Sequence, residues 1–163
     1  MIELSGENAF AKGRLLALLA PLALLVGAYV SQYGFGLYPC EMCWWQRYPH
    51  FAALGLGLLA LLRPGSRGLV VLGALAILGS GLIGGYHSGV EYHWWEGLTA
   101  CTSTAGTGNS DPLEAIMNAP LVRCDQAQWE LWGISLAGFN FLISTAAAIT
   151  IFWLLARSRR ISA

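Results

Sequence analysis

Charge is what this chain lacks most. Only 11% of its 163 residues are Asp, Glu, Lys or Arg, and 56% are hydrophobic, whereas soluble domains usually carry about a quarter charged residues. The apolar residues fall in long runs rather than in the short amphipathic segments of a soluble core, so an ordinary soluble fold is excluded. A second Cys-x-x-Cys is also missing. The cysteines are Cys40, Cys43, Cys101 and Cys124, and the last two do not supply the close ligand spacing of the common zinc modules. No metal is therefore expected. Nor does a small-x-small cleavage site follow the first apolar run, which is longer than the apolar region of a signal peptide; that run is expected to remain as a helix.

What is there instead is membrane-spanning sequence. Residues 14–33, 51–62 with an aromatic approach from Trp44, 69–86 and 134–155 are near the about 20 residues needed to cross hydrocarbon. They predict an all-α, integral membrane four-helix bundle forming a single membrane domain over 1–163. Its helices are expected at about 14–33, 44–62, 68–87 and 133–156, with external loops at about 34–43 and 88–132. The second span is the shortest in strictly apolar residues and borrows Trp44, Trp45 and Tyr48 from the interface. Seven of the nine basic residues (Lys12, Arg14, Arg63, Arg67, Arg157, Arg159 and Arg160) fall on one side of that topology. By the positive-inside rule that side is cytoplasmic, so both termini are expected inside and both cysteine-bearing loops outside, where disulfides persist.

The chemistry-bearing stretch is Pro39-Cys40-Glu41-Met42-Cys43-Trp44-Trp45-Gln46-Arg47. Pro39 discourages helix before Cys40, so the second helix is expected to begin near Glu41 or Met42, with Cys43 in its first turn. Free N–H groups and the positive end of the helix dipole favour a thiolate there. Arg47 lies four residues on, hence on the same face one turn deeper. A guanidinium inside the membrane edge is costly and marks a functional site; the plainer alternative is an arginine snorkelling to headgroups. Gln46 is either a hydrogen-bond donor to a ligand or an interfacial amide.

The long external loop holds Cys101 and Cys124. Between them, residues 102–110 are rich in Gly, Ser and Thr, and Asp111-Pro112-Leu113-Glu114 is a strong helix start. A short amphipathic helix with Leu113, Ile116 and Met117 on one side is expected to lie on the outer leaflet, the alternative being that this face is buried against the bundle. Trp44, Trp45, Trp94, Trp95, Trp129 and Trp132 gather at the same boundary as an aromatic belt. Small residues four apart (Ala53 and Gly57, Ser80 and Gly84, Gly81 and Gly85) predict close helix packing, and Asn140 predicts an interhelical hydrogen bond. Two cysteine pairs in neighbouring loops, one beside an arginine, suit a relay, although a structural disulfide between loops is the commoner use of external cysteines.

The Pro39–Arg47 motif, the Tyr86-His87 helix end, and Cys124-Asp125-Gln126-Ala127-Gln128-Trp129 with Gly133-Ile134-Ser135-Leu136-Ala137-Gly138 resemble the bacterial DsbB family of disulfide bond formation proteins. The resemblance implies an enzyme of the inner membrane, a quinone-dependent protein-disulfide oxidoreductase working in the known DsbA–DsbB–quinone route. Its implied partners are a DsbA-like periplasmic thiol oxidant, the membrane quinone pool and the lipid bilayer, with no nucleic acid. Its implied electron acceptor is ubiquinone or menaquinone. By the same resemblance, Cys101 is attacked by the reduced partner, Cys124 is freed to attack Cys40, and Cys43 is released as a thiolate beside the quinone. Arg47 and His87 are implied on the quinone side, His87 being favoured over the nearby His93. Two other functions compete with this one. A membrane scaffold with structural disulfides is disfavoured by Arg47 beside Cys43. A reductase running the relay backwards, like the vitamin K epoxide reductase-like proteins, is disfavoured because those carry their Cys-x-x-Cys toward the other end of the chain.

Overall fold

Long apolar runs in which backbone groups must satisfy one another can only become helices in lipid, and helices dominate the fold. The computed structural model describes residues 2–99 and 122–161. Its helices are α1 (Ile2–Gly34), α2 (Glu41–Leu62), α3 (Arg67–Glu91) and α4 (Leu136–Ile161), and a two-stranded antiparallel hairpin pairs β1 (Glu130–Leu131) with β2 (Ile134–Ser135) just before α4. Cys101 and the helix expected after Asp111 lie outside the described residues.

Among the described residues, three helices are long and apolar enough to cross a membrane: Gly6–Gly34, Arg67–Glu91 and Leu136–Ser158. The 22 residues of α2 extend about 33 Å at 1.5 Å per residue, making it the shortest of these four helices but still about the thickness of the hydrocarbon core. Its first turns, however, carry Glu41, Gln46, Arg47 and His50, which lower its apolarity. Exposure is inverted relative to a soluble protein. On α1, Leu15, Leu19, Leu22, Val26 and Val30 form an outward stripe, whereas Ala17 and Leu25 are buried.

Several boundaries differ from the sequence expectation, each for a local reason. α1 begins at Ile2 rather than near residue 14, and from Ala9 on it is docked: Ala9 is buried, Phe10 packs on the core and lies under the Arg67 guanidinium, and Gly13 lets Leu154 approach. α2 begins at Glu41, with Cys40 as its N-cap and the Cys40 sulfur accepting from the Cys43 N–H at 3.2 Å. α3 runs a full turn past His87, since Ser88, Gly89 and Val90 are buried. α4 starts only at Leu136. Trp132 and Gly133 take φ of 53° and 73°, the left-handed pair that closes a two-residue hairpin.

Small residues set the helix spacing. A side chain at Gly57 would meet the Leu18 backbone of α1 at 3.0 Å, and one at Gly84 would meet the Ala137 carbonyl of α4 at 2.9 Å. At the loop end, the Trp95 ring lies directly on the bare backbone of Gly89, and its indole N–H donates to the Tyr86 carbonyl at 2.9 Å. Ala17, Ala53, Ala74, Ile77, Ala148 and Ile151 belong to the apolar core of the bundle. A second cluster at the loop end joins Cys40, Met42, Val90 and Cys124.

Candidate active site

The site is assembled where the α2 N-terminus, the last turns of α3 and the segment after Val122 meet. Cys40 caps α2 and Cys43 sits in its first turn, so the helix start itself brings the two sulfurs to 3.0 Å. Both are free thiols; Cys40 is buried and Cys43 only half-buried. The Cys40 thiol is held well above the ordinary thiol range, first by the hydrogen bond it shares with Cys43 and then by burial. Cys124 is disulfide-bonded and fully buried. Its segment is tied to the α1–α2 turn by the Gln128 amide donating to the Tyr38 carbonyl at 2.7 Å, and within the segment Arg123 Nε donates to Asp125 at 2.8 Å. That ion pair depresses the Asp125 carboxyl below its usual range, mainly through the hydrogen bond from Arg123.

His87, one turn before the end of α3 and 1% exposed, packs beside Cys40 and the Cys124 backbone. Its Nδ1 accepts from the Gln46 amide at 2.8 Å, and that amide also donates to the Met42 carbonyl at 3.3 Å. This arrangement assigns the proton to Nε2. That nitrogen faces the Cys124 carbonyl at 3.2 Å, the Cys40 sulfur at 3.6 Å and the Glu91 carboxylate at 3.8 Å. Glu91 is fixed in turn by the Ser135 hydroxyl, which also accepts from the Gly138 N–H. His93 instead lies exposed in the turn after α3, at φ 58°.

Arg47 is 6% exposed and does not reach outward to headgroups. It donates to Gln32 of α1 at 2.7 Å and to the Ala28 carbonyl at 3.3 Å, with its guanidinium 4.9 Å from both the Tyr29 and Trp44 rings. Two of its five donors are thus engaged, and the others remain for a ligand. Gln46 is committed inside the protein: besides its two donor contacts, its oxygen accepts from Asn140 at 2.8 Å. Asn140 also reaches the Ser80 carbonyl and hydroxyl, each at 3.2 Å, which is the interhelical bonding its position in α4 predicts.

A cavity of about 680 Å³ opens beside this cluster. Cys43, Arg47, His50, His87 and Glu91 line its polar end, and apolar residues of α1 and α4, from Leu16 to Ala28 and from Leu136 to Ala147, line the rest. Sequence reasoning did not single out Gln32, His50, Glu91 or Ser135. Intramembrane polarity was the available signal for His50 and Gln32, at the same level as the one that marked Arg47.

Cys40, Cys43 and His87 have their ligand atoms within 4.8 Å of one another, the usual signature of a metal site. The sulfur spacing argues otherwise. Two thiolates on one tetrahedral zinc stand about 3.8 Å apart, given Zn–S bonds of about 2.3 Å, and these stand 3.0 Å apart. The contact suits two thiols closing on each other better than two ligands of one ion.

A capped dithiol packed against a disulfide-bonded cysteine, inside helices fit for lipid, is the working part of a membrane thiol–disulfide oxidoreductase. Comparison with known proteins places the chain within that class. The family model for disulfide bond formation protein DsbB matches residues 11–154, and the chain belongs to that family. It is 32% identical to the disulfide bond formation protein B of Verminephrobacter eiseniae, over 90% of this chain and 88% of the relative. The corresponding Azoarcus protein is 33% identical, over 83% and 91%. An uncharacterised protein of Rickettsia prowazekii is 26% identical over 75% and 74%. No solved structure matches.

Proposed function

We propose that this protein reoxidises a DsbA-like periplasmic thiol oxidant and delivers the electrons to a membrane quinone. The observation that carries the reading is the joint placement of the reduced Cys40–Cys43 pair, buried Cys124 and the cavity. Cys40 packs in one buried cluster with Cys124, Cys43 lies against that cluster, and both Cys40 and Cys43 line the cavity. Electrons entering at Cys124 therefore have a short path to Cys40, and those leaving at Cys43 face a ligand slot. The orientation proposed for this exchange, with cysteine loops in the periplasm and both termini in the cytoplasm of the inner membrane, rests on the basic-residue asymmetry.

The lining of the cavity suits a quinone in chemistry: its apolar residues on α1 and α4 suit an isoprenoid chain, and the polar end beside Cys43 suits a ring with oxygens. When bound, the quinone supplies a two-electron acceptor. Arg47 offers its remaining N–H donors to a ring oxygen, and its positive charge favours the Cys43 thiolate. His87 presents its Nε2 proton toward Cys40, stabilising negative charge there during exchange.

In the exchange steps, a thiolate of the reduced partner attacks Cys101 of a Cys101–Cys124 disulfide and expels Cys124 as a thiolate. Cys124 attacks Cys40 of an oxidised Cys40–Cys43 pair, and Cys43 leaves as a thiolate. The partner's second thiol attacks its own sulfur in the mixed disulfide and departs oxidised, while Cys101 returns to displace Cys40 from Cys124. The pair electrons end on Cys40 and Cys43, the reduced state this structure holds. DsbA is a strong oxidant, with a potential of about −120 mV, so its reoxidation calls for an acceptor such as a quinone.

The test is trapping in Cys124→Ser. A mixed disulfide between Cys101 and the soluble oxidant should accumulate, because the resolving thiol is gone. Trapping through Cys40 or Cys43 instead would overturn the relay order.

A further inference from the structure

Below the cysteines, the buried polar chain continues from Gln46 through Asn140 to His50. Asn140 gives its amide protons to Gln46 and Ser80, so its oxygen is the face turned to His50 Nε2 at 3.0 Å; that oxygen also accepts from Ser144 at 2.9 Å. An oxygen there requires a proton on His50 Nε2. The other ring nitrogen of the neutral imidazole, Nδ1, is then an acceptor. It is buried, and none of the described residues offers it a donor. His50 is 3% exposed and lines the cavity.

An orphaned buried acceptor of this kind is normally matched by water or ligand. His50 follows Arg47 by three residues, so both side chains leave the same face of α2, separated by about 4.5 Å along the axis at 1.5 Å per residue. Both residues line one slot at successive depths. An oxidised quinone ring has only acceptor oxygens and gives His50 nothing. A dihydroxy ring brings O–H groups.

We propose that His50 is the deep anchor of the ligand slot, where its Nδ1 accepts a hydrogen bond from a ring hydroxyl and so selects the reduced, hydroquinone form. The inference rests on the quinone reading above and adds to it a residue and a preference between redox forms. No electron moves in this step; the hydroxyl hydrogen is shared with Nδ1 and the O–H bond stays intact. Its consequence is that the bound quinone is easier to reduce than the free one.

The experiment measures equilibrium binding of a one-isoprene ubiquinone and of its ubiquinol to the purified full chain. All cysteines are oxidised beforehand, so no dithiol remains to reduce the quinone. One neutral hydrogen bond is worth about 1 kcal/mol, which is about fivefold in affinity. His50→Leu should therefore weaken ubiquinol about five- to tenfold and leave ubiquinone within twofold. A tenfold change in that ratio is about 30 mV in the potential of the bound two-electron couple. His50→Gln, whose amide can serve both Asn140 and a hydroxyl, should retain most of the preference. The third readout needs no variant: in wild-type protein carrying 15N-histidine, ubiquinol and not ubiquinone should shift the His50 Nδ1 resonance.

Equal weakening of both forms in His50→Leu overturns the inference, as does an Nδ1 resonance that moves equally with both. If the variants fail to fold, the wild-type resonance decides. If the wild type binds ubiquinone but without any preference lost in His50→Leu, only the His50 assignment falls. If it binds neither form, or binds an alkane of the same length as tightly, the quinone reading falls and this inference with it.

Discussion

Around Ala17, Ala53, Ala74 and Ala148 the helices meet through methyl groups, whereas around Gln46, Ser80, His87 and Asn140 they meet through hydrogen bonds. Lipid explains the first arrangement. Apolar side chains gain little by leaving hydrocarbon for protein, so association there depends on close approach through small residues. The second arrangement does something packing cannot. Ser80 Oγ donates to the Gln46 carbonyl at 2.7 Å, and the chain of bonds through Gln46 fixes the rotamer and tautomer of His87. The methyl-packed half holds the bundle together; the hydrogen-bonded half sets where two sulfurs and a cavity stand relative to each other.

The comparison breaks most visibly at Arg47. Arg47→Ala should leave an emptied donor site and abolish most quinone-dependent turnover, while a strong soluble oxidant still oxidises Cys40 and Cys43. Arg47→Lys should lose less, because the charge stays while the planar fork is lost. Steady-state quinone reduction measures both. Turnover at the wild-type rate in Arg47→Ala would reduce the arginine to a structural tether of α1 to α2.

A smaller effect separates the two halves directly. Asn140→Ala orphans the Gln46 oxygen and leaves the His50 Nε2 proton only the Ser144 hydroxyl at 3.5 Å, and should destabilise the protein by about 1–3 kcal/mol, with faster alkylation of reduced Cys40 as His87 loosens. Ile77→Val in the methyl-packed half should cost about 0.5–1.5 kcal/mol and leave alkylation unchanged. Similar alkylation rates in the two variants would dissolve the distinction.

The smallest effect lies at the loop. Asp125 has a folded value below its unfolded one. Its contribution is therefore fully present above the unfolded value, near about pH 3.9, and is lost as pH falls through the lower folded value. Hydrogen exchange in the segment after Val122 should rise only in that acid window, and the rise should vanish in Asp125→Asn. High salt should weaken the pair, since the Arg123 side chain is exposed.

Three helices were legible because about 20 apolar residues in a row admit no other structure in lipid, whereas α2, with Gln46, Arg47 and His50 in its first turns, was legible only by borrowing interfacial aromatics. The Cys40–Arg47 stretch was legible because its parts are neighbours in sequence, and Pro39 marks the helix start. The rest was hidden by separation. Gln46 meets Asn140 across 94 positions and His87 across 41, so no local pattern links them. The hairpin at Glu130–Ser135 has strands of two residues, too short for any alternation to register. The early start of α1 depended on Phe10 finding Arg67, a tertiary contact that polar composition conceals.

The tryptophan lying on Gly89 carries a consequence for how this sequence can drift over generations. Any side chain at position 89 expels the indole, which releases the Tyr86 carbonyl one residue from His87; a smaller residue at 95 leaves the glycine a bare, wetted weakness. Neither position can be replaced first without harm, so the two are inherited as one character. In a lineage of such chains, 89 and 95 should change together or stay.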